Sequence, residues 1–86
     1  MKIIKSEVNI NTIDFIANKN ISVQNLLDQS GTKYNIRGDG KLSELDGVIA
    51  TASRDWNVYI DNVESDLDSL ICNDCKVDWK YENINN

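Results

Sequence analysis

A single short helical segment constrains the fold more than any other feature of this chain. In the stretch ISVQNLLDQSG, Ser22 is placed to cap the start of a helix and Gly31 to end it. The apolar residues between them fall on one stripe, formed by Val23, Leu26 and Leu27. A helix of about nine residues is only marginally stable by itself in water. We therefore expect this helix to pack against a sheet.

Alternating apolar and polar residues predict strands on both sides of the helix. The predicted strands lie at residues 4–10, 13–17, 34–36, 56–60 and 77–81. The buried face of the first strand would carry Ile4, Ser6, Val8 and Ile10. The last strand has the clearest pattern, since Val77, Trp79 and Tyr81 share one face and charged residues occupy the other. Turns are expected at residues 18–20, 37–40, 46–47 and 61–62, with an irregular segment at 42–49.

The order of these elements predicts an α+β fold of the β-grasp (ubiquitin-like) type. In that fold, a four- to five-stranded mixed or antiparallel sheet packs on one helix. The 86 residues suffice for one domain, which we expect to span residues 1–86 with a frayed tail at 83–86. A chain of this length buries roughly 60–65% of the surface that its unfolded form exposes.

Charge and composition exclude several classes of function. The net charge of −5 opposes binding to nucleic acid and to anionic membranes. No apolar run approaches the roughly 18 residues of a transmembrane helix, so we expect no membrane insertion. The start, MKIIKSEVNIN, turns polar before a hydrophobic region forms, so no signal peptide is predicted within this chain. The absence of histidine excludes His-based catalytic triads and the commonest zinc ligand.

The pair Cys72 and Cys75 admits several chemical interpretations. A thioredoxin-type redox couple needs its first thiolate at a helix N-terminus, whereas here a turn-like Asn-Asp leads into a strand. Zinc needs four ligands, and two cysteines supply half of them, so a zinc ion shared across a dimer is disfavoured. Residues i and i+3 of a tight turn lie within about 7 Å, which is within reach of a disulfide. A local disulfide in an oxidising compartment, or two free thiols in a reducing one, is favoured.

Two further motifs have simpler structural explanations. The tripeptide RGD at residues 37–39 spells an integrin-binding sequence, but a glycine-containing turn explains it. The acidic residues Asp61, Glu64, Asp66 and Asp68 lack the spacing and the glycine of a calcium-binding loop, which favours a solvated loop. We therefore predict no metal site. Because nothing places a pair of carboxylates in a pocket, we also predict no enzymatic activity.

The large aromatic residues divide between the core and the surface. Alternation places Trp56 and Trp79 on the buried face of their strands, where they would pack against the helix. Tyr59 falls on the opposite face from Trp56. An exposed aromatic ring near the turns at 38–40 or 46–47 would make a platform for a ligand.

Four stretches, taken in order, resemble a known family: ISVQNLLDQSG, LSELDGV, RDWNVYIDN and CKVDWKY. Together they resemble a small bacterial domain of unknown function that is related to the C-terminal β-domain of transcobalamin and intrinsic factor. The resemblance covers residues 22–81. Asn62 stands where the family usually has glycine, and CNDC replaces its usual Gly-Asp turn. The resemblance implies that the two cysteines bracket a hairpin turn at which the family has no chemistry.

The resemblance implies a soluble-ligand-binding β-grasp domain without catalytic activity, belonging to a secreted or surface-associated bacterial protein. Its partner would be a small molecule or a protein. As alternatives, the chain would form half of a corrinoid (cobalamin) site completed by a helical domain, or would pair with other chains through a sheet edge. The expected ligand contacts are Asp39, Gly40, Asp46, Gly47, Trp56 and Tyr59.

Overall fold

The fold is described from a computed structural model, which covers residues 1–15, 21–72 and 74–84. In chain order the elements are β1 (Lys2–Ile4), β2 (Ile10–Thr12), β3 (Ile21–Ser22), α1 (Val23–Ser30), β4 (Tyr34–Ile36), β5 (Leu42–Leu45), β6 (Val48–Ile49), β7 (Arg54–Ile60), β8 (Val63–Ser65), β9 (Leu70–Ile71) and β10 (Val77–Asn83). No helix in these ranges is long and apolar enough to cross a membrane.

The strands of the described ranges form three sheets. The largest has five strands in the order β2-β1-β10-β7-β8, in which β1 runs parallel to β10 and every other pair is antiparallel. A second sheet joins β4, β5 and β6 as an antiparallel meander. The third consists of the two-residue strands β3 and β9. β7 and β10, with seven residues each, are the longest strands and lie side by side near the middle of the largest sheet.

The predicted β-grasp fold is wrong. The described chain is mostly β with one short helix, and its strands divide among three sheets instead of all belonging to a single sheet on that helix. The division arises because the turns at residues 37–40 and 46–47 pair β4, β5 and β6 with one another. The predicted irregular segment at 42–49 is therefore a hairpin, and β9 pairs with β3 at the start of the helix.

The first predicted strand is also wrong. Residues 4–10 are split by a turn, in which the amide of Lys5 donates to the carbonyl oxygen of Asn9 at 3.0 Å. The hydroxyl of Ser6 accepts from the amide of Asn9 at 3.1 Å, so this turn has its own side-chain support. The turn changes which residues face inward: Val8 is 95% exposed, whereas Ile3 is fully buried. Residues 13–15 form no strand, and the rest of the predicted run 13–17, with the turn at 18–20, lies outside the described residues.

The predicted helix is confirmed in its boundaries and its buried face. The Ser22 hydroxyl accepts a hydrogen bond from the amide of Asn25 at 3.1 Å, and Gly31 ends the helix in the left-handed conformation with φ of 73°. The buried stripe consists of Val23, Leu26 and Leu27. These side chains belong to a hydrophobic core to which all three sheets contribute. Packing, more than length, therefore stabilises this helix.

The inner faces of β7 and β10 carry the predicted core residues. Trp56, Val58, Val77 and Trp79 are each at most 2% exposed, as the alternation predicted. On the outer face, the pairing of the two strands sets Asp55 opposite Glu82 and Asn57 opposite Lys80. The predicted tail at 83–86 begins inside β10, and the amide of Ile84 donates to the carbonyl oxygen of Ser53 at 2.8 Å. These two strands provide the frame for the candidate site.

Candidate functional site

The turn between β4 and β5, residues 37–41, is held against the edge of β7; we call it the hairpin tip. The guanidinium of Arg37 donates to carboxylate oxygens of both Asp39 and Asp55 at 3.0 Å. Asp39 also accepts the amide of Lys41 at 3.0 Å, and this bond, followed by the Arg37 contact, lowers the pKa of Asp39. Gly40 has a φ of 86°, which favours glycine at this turn. The hairpin tip is thus fixed both internally and to the sheet.

A chain of hydrogen bonds continues from the hairpin tip across the outer face of the sheet. The ammonium of Lys41 donates to Asn57 Oδ1 at 2.7 Å, and Asn57 Nδ2 donates to Glu82 Oε1 at 3.0 Å. The Tyr59 hydroxyl donates to the same Glu82 oxygen at 2.5 Å. This bond to Glu82 is the main reason that the pKa of Tyr59 is raised to about 12. Tyr59 is consequently a positioned, protonated hydrogen-bond donor at neutral pH.

Two concave regions adjoin this hydrogen-bond chain. The first, which we call the tryptophan cavity, has a volume of about 50 Å³ and is lined by residues 40–42, 56–58 and 64–67 together with Trp79. Its walls are largely apolar, since they include Leu42, Val58 and Leu67 besides the two indole rings. The second, which we call the polar groove, is an open region of about 460 Å³ lined by Lys41, Asp55, Asn57, Tyr59, Glu64, Glu82, Asn83 and Ile84. Lys41, Asn57 and Glu64 border both regions.

The two tryptophans of the cavity differ in their hydrogen bonding. Trp56 Nε1 donates to the carbonyl oxygen of Val48 at 2.9 Å. Trp79 Nε1 is buried and has no hydrogen-bond partner in the described part of the chain. Buried indole N–H groups normally have a partner, because an unpaired donor loses its bond to water and gains nothing in return. The side chain of Trp79 lines the cavity, but its nitrogen is not open to a water-sized group there.

The structure brings most of the predicted contact residues to one place. Gly40 and Trp56 line the tryptophan cavity, Tyr59 lines the polar groove, and Asp39 braces the hairpin tip. Trp56 is 1% exposed and forms a wall of the cavity, not an open platform.

Asp46 and Gly47 lie elsewhere, in the turn between β5 and β6, and line neither region. The Asp46 carboxylate instead contacts Lys5 and Asn11, each at 3.1 Å. That turn therefore braces the β1–β2 end of the molecule and is separate from the site.

Cys72 and Cys75 form a disulfide in the structure, with Cα atoms 5.3 Å apart. The amide of Cys75 donates to the carbonyl oxygen of Cys72 at 3.2 Å, so the pair closes a tight turn. This turn is not the expected hairpin, because the strand before it, β9, pairs with β3 while the strand after it, β10, pairs with β1 and β7. The disulfide thus staples the connection between two sheets.

The acidic residues at 61–68 have separate contacts and do not form one cluster. One oxygen of Asp66 accepts from the amide of Asp68 at 3.0 Å and from the hydroxyl of Ser69 at 3.1 Å. Asp61 accepts from the amide of Lys76 at 2.8 Å. Within the described ranges, no three Cys, Asp or Glu side chains converge as metal ligands would.

The sequence interpretation missed the residues that connect the site. Lys41, Asn57 and Glu82 link the hairpin tip to Tyr59, and Trp79 forms part of the cavity wall. Alternation places Asn57 and Tyr59 on one face of β7, and Lys80 and Glu82 on one face of β10. Alternation does not show which strands pair, and only the pairing of β7 with β10 brings Asn57 and Glu82 together. No local sequence signal identifies the contact.

Comparisons with models of known protein families, with curated proteins and with solved structures find no match for this chain. The arrangement of the site itself therefore supplies the argument for function.

Proposed function

We propose that this chain is a non-catalytic module that binds a segment of a partner protein, with one side chain of the partner inserted into the tryptophan cavity. The observation that carries this proposal is the small apolar cavity, walled by two buried indole rings, beside a surface of fixed polar groups. Binding energy at protein interfaces concentrates in such arrangements, where a buried anchor side chain is surrounded by a polar rim.

The size of the cavity favours a side chain over a cofactor. Pockets for small molecules and cofactors typically measure about 300–1,000 Å³. The tryptophan cavity, at about 50 Å³, has room for about four water-sized groups. That volume suits one amino-acid side chain and is far too small for a corrinoid. Between the alternatives that the sequence left open, the cavity thus supports a protein partner.

The polar groove has the features of an interface rim. Its volume of about 460 Å³ would admit a small molecule, but Lys41, Asn57, Tyr59 and Glu82 are already bonded to one another. A ligand there would have to compete with these bonds or add to them from outside. Such a preorganised polar surface can order a partner at low entropic cost.

The state of Tyr59 supports binding over proton transfer. With its pKa raised to about 12, this hydroxyl stays protonated at neutral pH and keeps its bond to Glu82. An effective acid or base catalyst has a pKa near the working pH. Tyr59 is therefore better suited to hold a position than to exchange a proton.

We also propose that the module works in an oxidising compartment, at the bacterial cell surface or outside the cell. The disulfide between Cys72 and Cys75 supports this location, because such bonds persist mainly where thiols are not kept reduced. The resemblance to the C-terminal domain of transcobalamin suggests the same compartment. Pairing through a sheet edge is less favoured, since the edge strands β2 and β8 of the largest sheet have three residues each.

Selection from a library of displayed random peptides tests the proposed function. Each selected peptide is then tested against the native chain and two variants that compete for it. Ser65→Leu fills the tryptophan cavity, and Ser43→Leu does not touch it. They are matched because both serines are partly buried in strands and both hydroxyls donate to a backbone carbonyl oxygen. We expect peptides that bind the native chain and Ser43→Leu but not Ser65→Leu.

Two outcomes would contradict the proposal. One is the absence of any enriched peptide whose binding depends on the cavity. The other is saturable heat in a calorimetric titration with cobalamin, which would support the corrinoid alternative instead. Near-ultraviolet circular dichroism of both variants provides the folding control.

A further inference from the structure

The lining of the tryptophan cavity divides into a buried interior and an exposed mouth. The interior is apolar and consists of residues that are each at most 8% exposed: Leu42, Trp56, Val58, Leu67 and Trp79. The exposed lining residues, which form the mouth, are Gly40, Lys41, Glu64 and Asp66. A side chain that enters from a partner must therefore pass charged groups before it reaches the apolar walls.

The interior requires an apolar group of limited size. The Trp56 nitrogen already donates to the carbonyl oxygen of Val48, and the Trp79 nitrogen is closed to a water-sized group. A polar atom placed there would lose its hydration and gain no partner. The volume of about 50 Å³ holds about four water-sized groups, which matches the side chains of valine, leucine, isoleucine and methionine. An aromatic ring is larger and would force the walls apart, and such overpacking is costly.

The charges in the adjoining polar groove are mainly negative. The groove is lined by one basic and three acidic side chains, and Glu64 belongs to both the groove and the mouth. The basic side chain, Lys41, already donates to Asn57 and lies 3.5 Å from Asp55. The carboxylates of Glu64 and Glu82 form no ion pair with any residue that the structure describes. The groove can therefore offer negative charge to a partner.

Glu64 and Glu82 both lie near the hydroxyl of Tyr59. The hydrogen bond from Tyr59 to Glu82, burial, and the charges of Glu82 and Glu64 raise the pKa of Tyr59 to about 12. The ammonium of Lys80 lies over the Tyr59 ring, 4.7 Å from its centre, and pairs with neither carboxylate. A cation from a partner can thus approach Glu64 beside the mouth without displacing an internal ion pair.

We propose that the partner segment inserts an aliphatic side chain, no larger than that of leucine, into the tryptophan cavity and places a lysine or arginine beside Glu64 in the polar groove. The aliphatic group supplies the buried anchor. The basic residue supplies orientation and specificity, since complementary charges at a rim act on these more than on affinity. The inference rests on the proposed function and states the chemistry of its partner.

Three small molecules test both parts of the inference without any peptide. The isopentylammonium ion has an aliphatic branch and a cation, isopentyl alcohol lacks the charge, and the phenethylammonium ion has an aromatic ring in place of the branch. Binding at neutral pH and low ionic strength is followed by the amide signals of residues 40–42, 56–58 and 64–67 in nitrogen-15 labelled protein. We expect saturable shifts with isopentylammonium. The alcohol should bind about threefold more weakly and phenethylammonium about tenfold more weakly.

Variants assign these effects to particular residues. Ser65→Leu should abolish binding of isopentylammonium, and Ser43→Leu should preserve it. Glu64→Gln should remove most of the preference for the ion over the alcohol. Glu7→Gln makes the same change in net charge at an exposed residue in the turn at 5–9 and should retain that preference. Near-ultraviolet circular dichroism shows whether each variant is folded.

Several results would overturn the inference. Equal affinity for isopentylammonium and its alcohol, or an equal loss of preference in Glu64→Gln and Glu7→Gln, would refute the basic residue. Tighter binding of phenethylammonium would refute the aliphatic anchor, and the absence of saturable shifts would refute both. Failure of the probes alongside cavity-dependent peptide binding would leave the proposed function standing. Binding of the probes without any cavity-dependent peptide would refute the proposed function instead.

Discussion

The two turns of the β4-β5-β6 meander have similar sequences but different surroundings. Both contain an Asp-Gly pair, and both were predicted as ligand contacts. The hairpin tip at 37–41 lies beside β7, where the carboxylate of Asp55 forms ion pairs with Arg37 and Lys41. The turn at 46–47 contacts Lys5 and Asn11, which lie at the β1–β2 end of the largest sheet. The composition of a turn therefore identifies it as a turn, whereas sheet topology decides whether it belongs to a site.

The largest effect expected at the hairpin tip comes from Asp55→Asn. Asp55 is 8% exposed and pairs with Arg37 and Lys41, and one of its oxygens accepts the amide of Trp56. Loss of its charge should lower the free energy of unfolding by about 2–3 kcal/mol, since two cations lose a nearly buried partner. Urea unfolding followed by circular dichroism measures this value. If Asp55→Asn lowers the free energy of unfolding by less than Asp46→Asn does in the other turn, the distinction between the two turns is contradicted.

The turn closed by Cys72 and Cys75 is held by a disulfide. Its contribution to the free energy of unfolding should be somewhat smaller than the effect of Asp55→Asn. A disulfide that closes so short a loop is expected to stabilise the chain by about 2 kcal/mol or less. Unfolding of the Cys72→Ser/Cys75→Ser variant measures this contribution. Mass spectrometry of freshly purified protein tests the bond itself. Two alkylatable thiols before any reductant is added would refute both the disulfide and the proposed oxidising compartment.

The bond between Tyr59 and Glu82 at the far end of the site predicts a dependence of stability on pH. Tyrosine has an ordinary pKa of 10.0, and Tyr59 has about 12 in the folded chain. As the pH rises, the unfolded chain therefore loses this proton first, so the stabilisation is complete below about pH 10 and is lost between about pH 10 and 12. Tyr59→Phe should lose less stability over that interval than the native chain, as measured by urea midpoints. Parallel curves for the two proteins would contradict the assignment.

Asp46→Asn should produce the smallest effect and serves as the counterpart of Asp55→Asn. The Lys5–Asp46 pair is partly exposed, with 21% and 29% of the two side chains accessible, and such pairs contribute less than about 1 kcal/mol. Asparagine tolerates the φ of 51° at this position, so the backbone should not be strained. The same urea measurement applies. Binding of cavity-dependent peptides should be unchanged, and a loss of binding would place this turn in the site after all.

Local features of the sequence predicted local structure well. The Ser22 cap and the buried stripe of the helix depend on residues three or four positions apart, and the inward faces of β7 and β10 depend on simple alternation. The error at Val8 has a local cause too, because a turn at 5–9 interrupts the alternation that placed this residue inside.

The features that the sequence did not predict depend on contacts between distant segments. The parallel pairing of β1 with β10 and the pairing of β3 with β9 join segments far apart in the chain, and the division of the strands among three sheets separates the actual fold from the predicted β-grasp. The bond between Asn57 and Glu82 spans 25 residues. The unpartnered nitrogen of Trp79 likewise emerges only when every neighbour is in place. Such features depend on the register of the sheet, which no short pattern in the sequence contains.

The most direct test of the central claim is a map of where a cavity-dependent peptide touches the chain. Amide signals of nitrogen-15 labelled protein can be followed while a selected peptide is added. We predict the largest shifts at residues 40–42, 56–58 and 64–67 and at the indole of Trp79, with little change at 46–47 and 5–9. Largest shifts at 46–47, or an unmoved Trp79 indole, would contradict the location of the site.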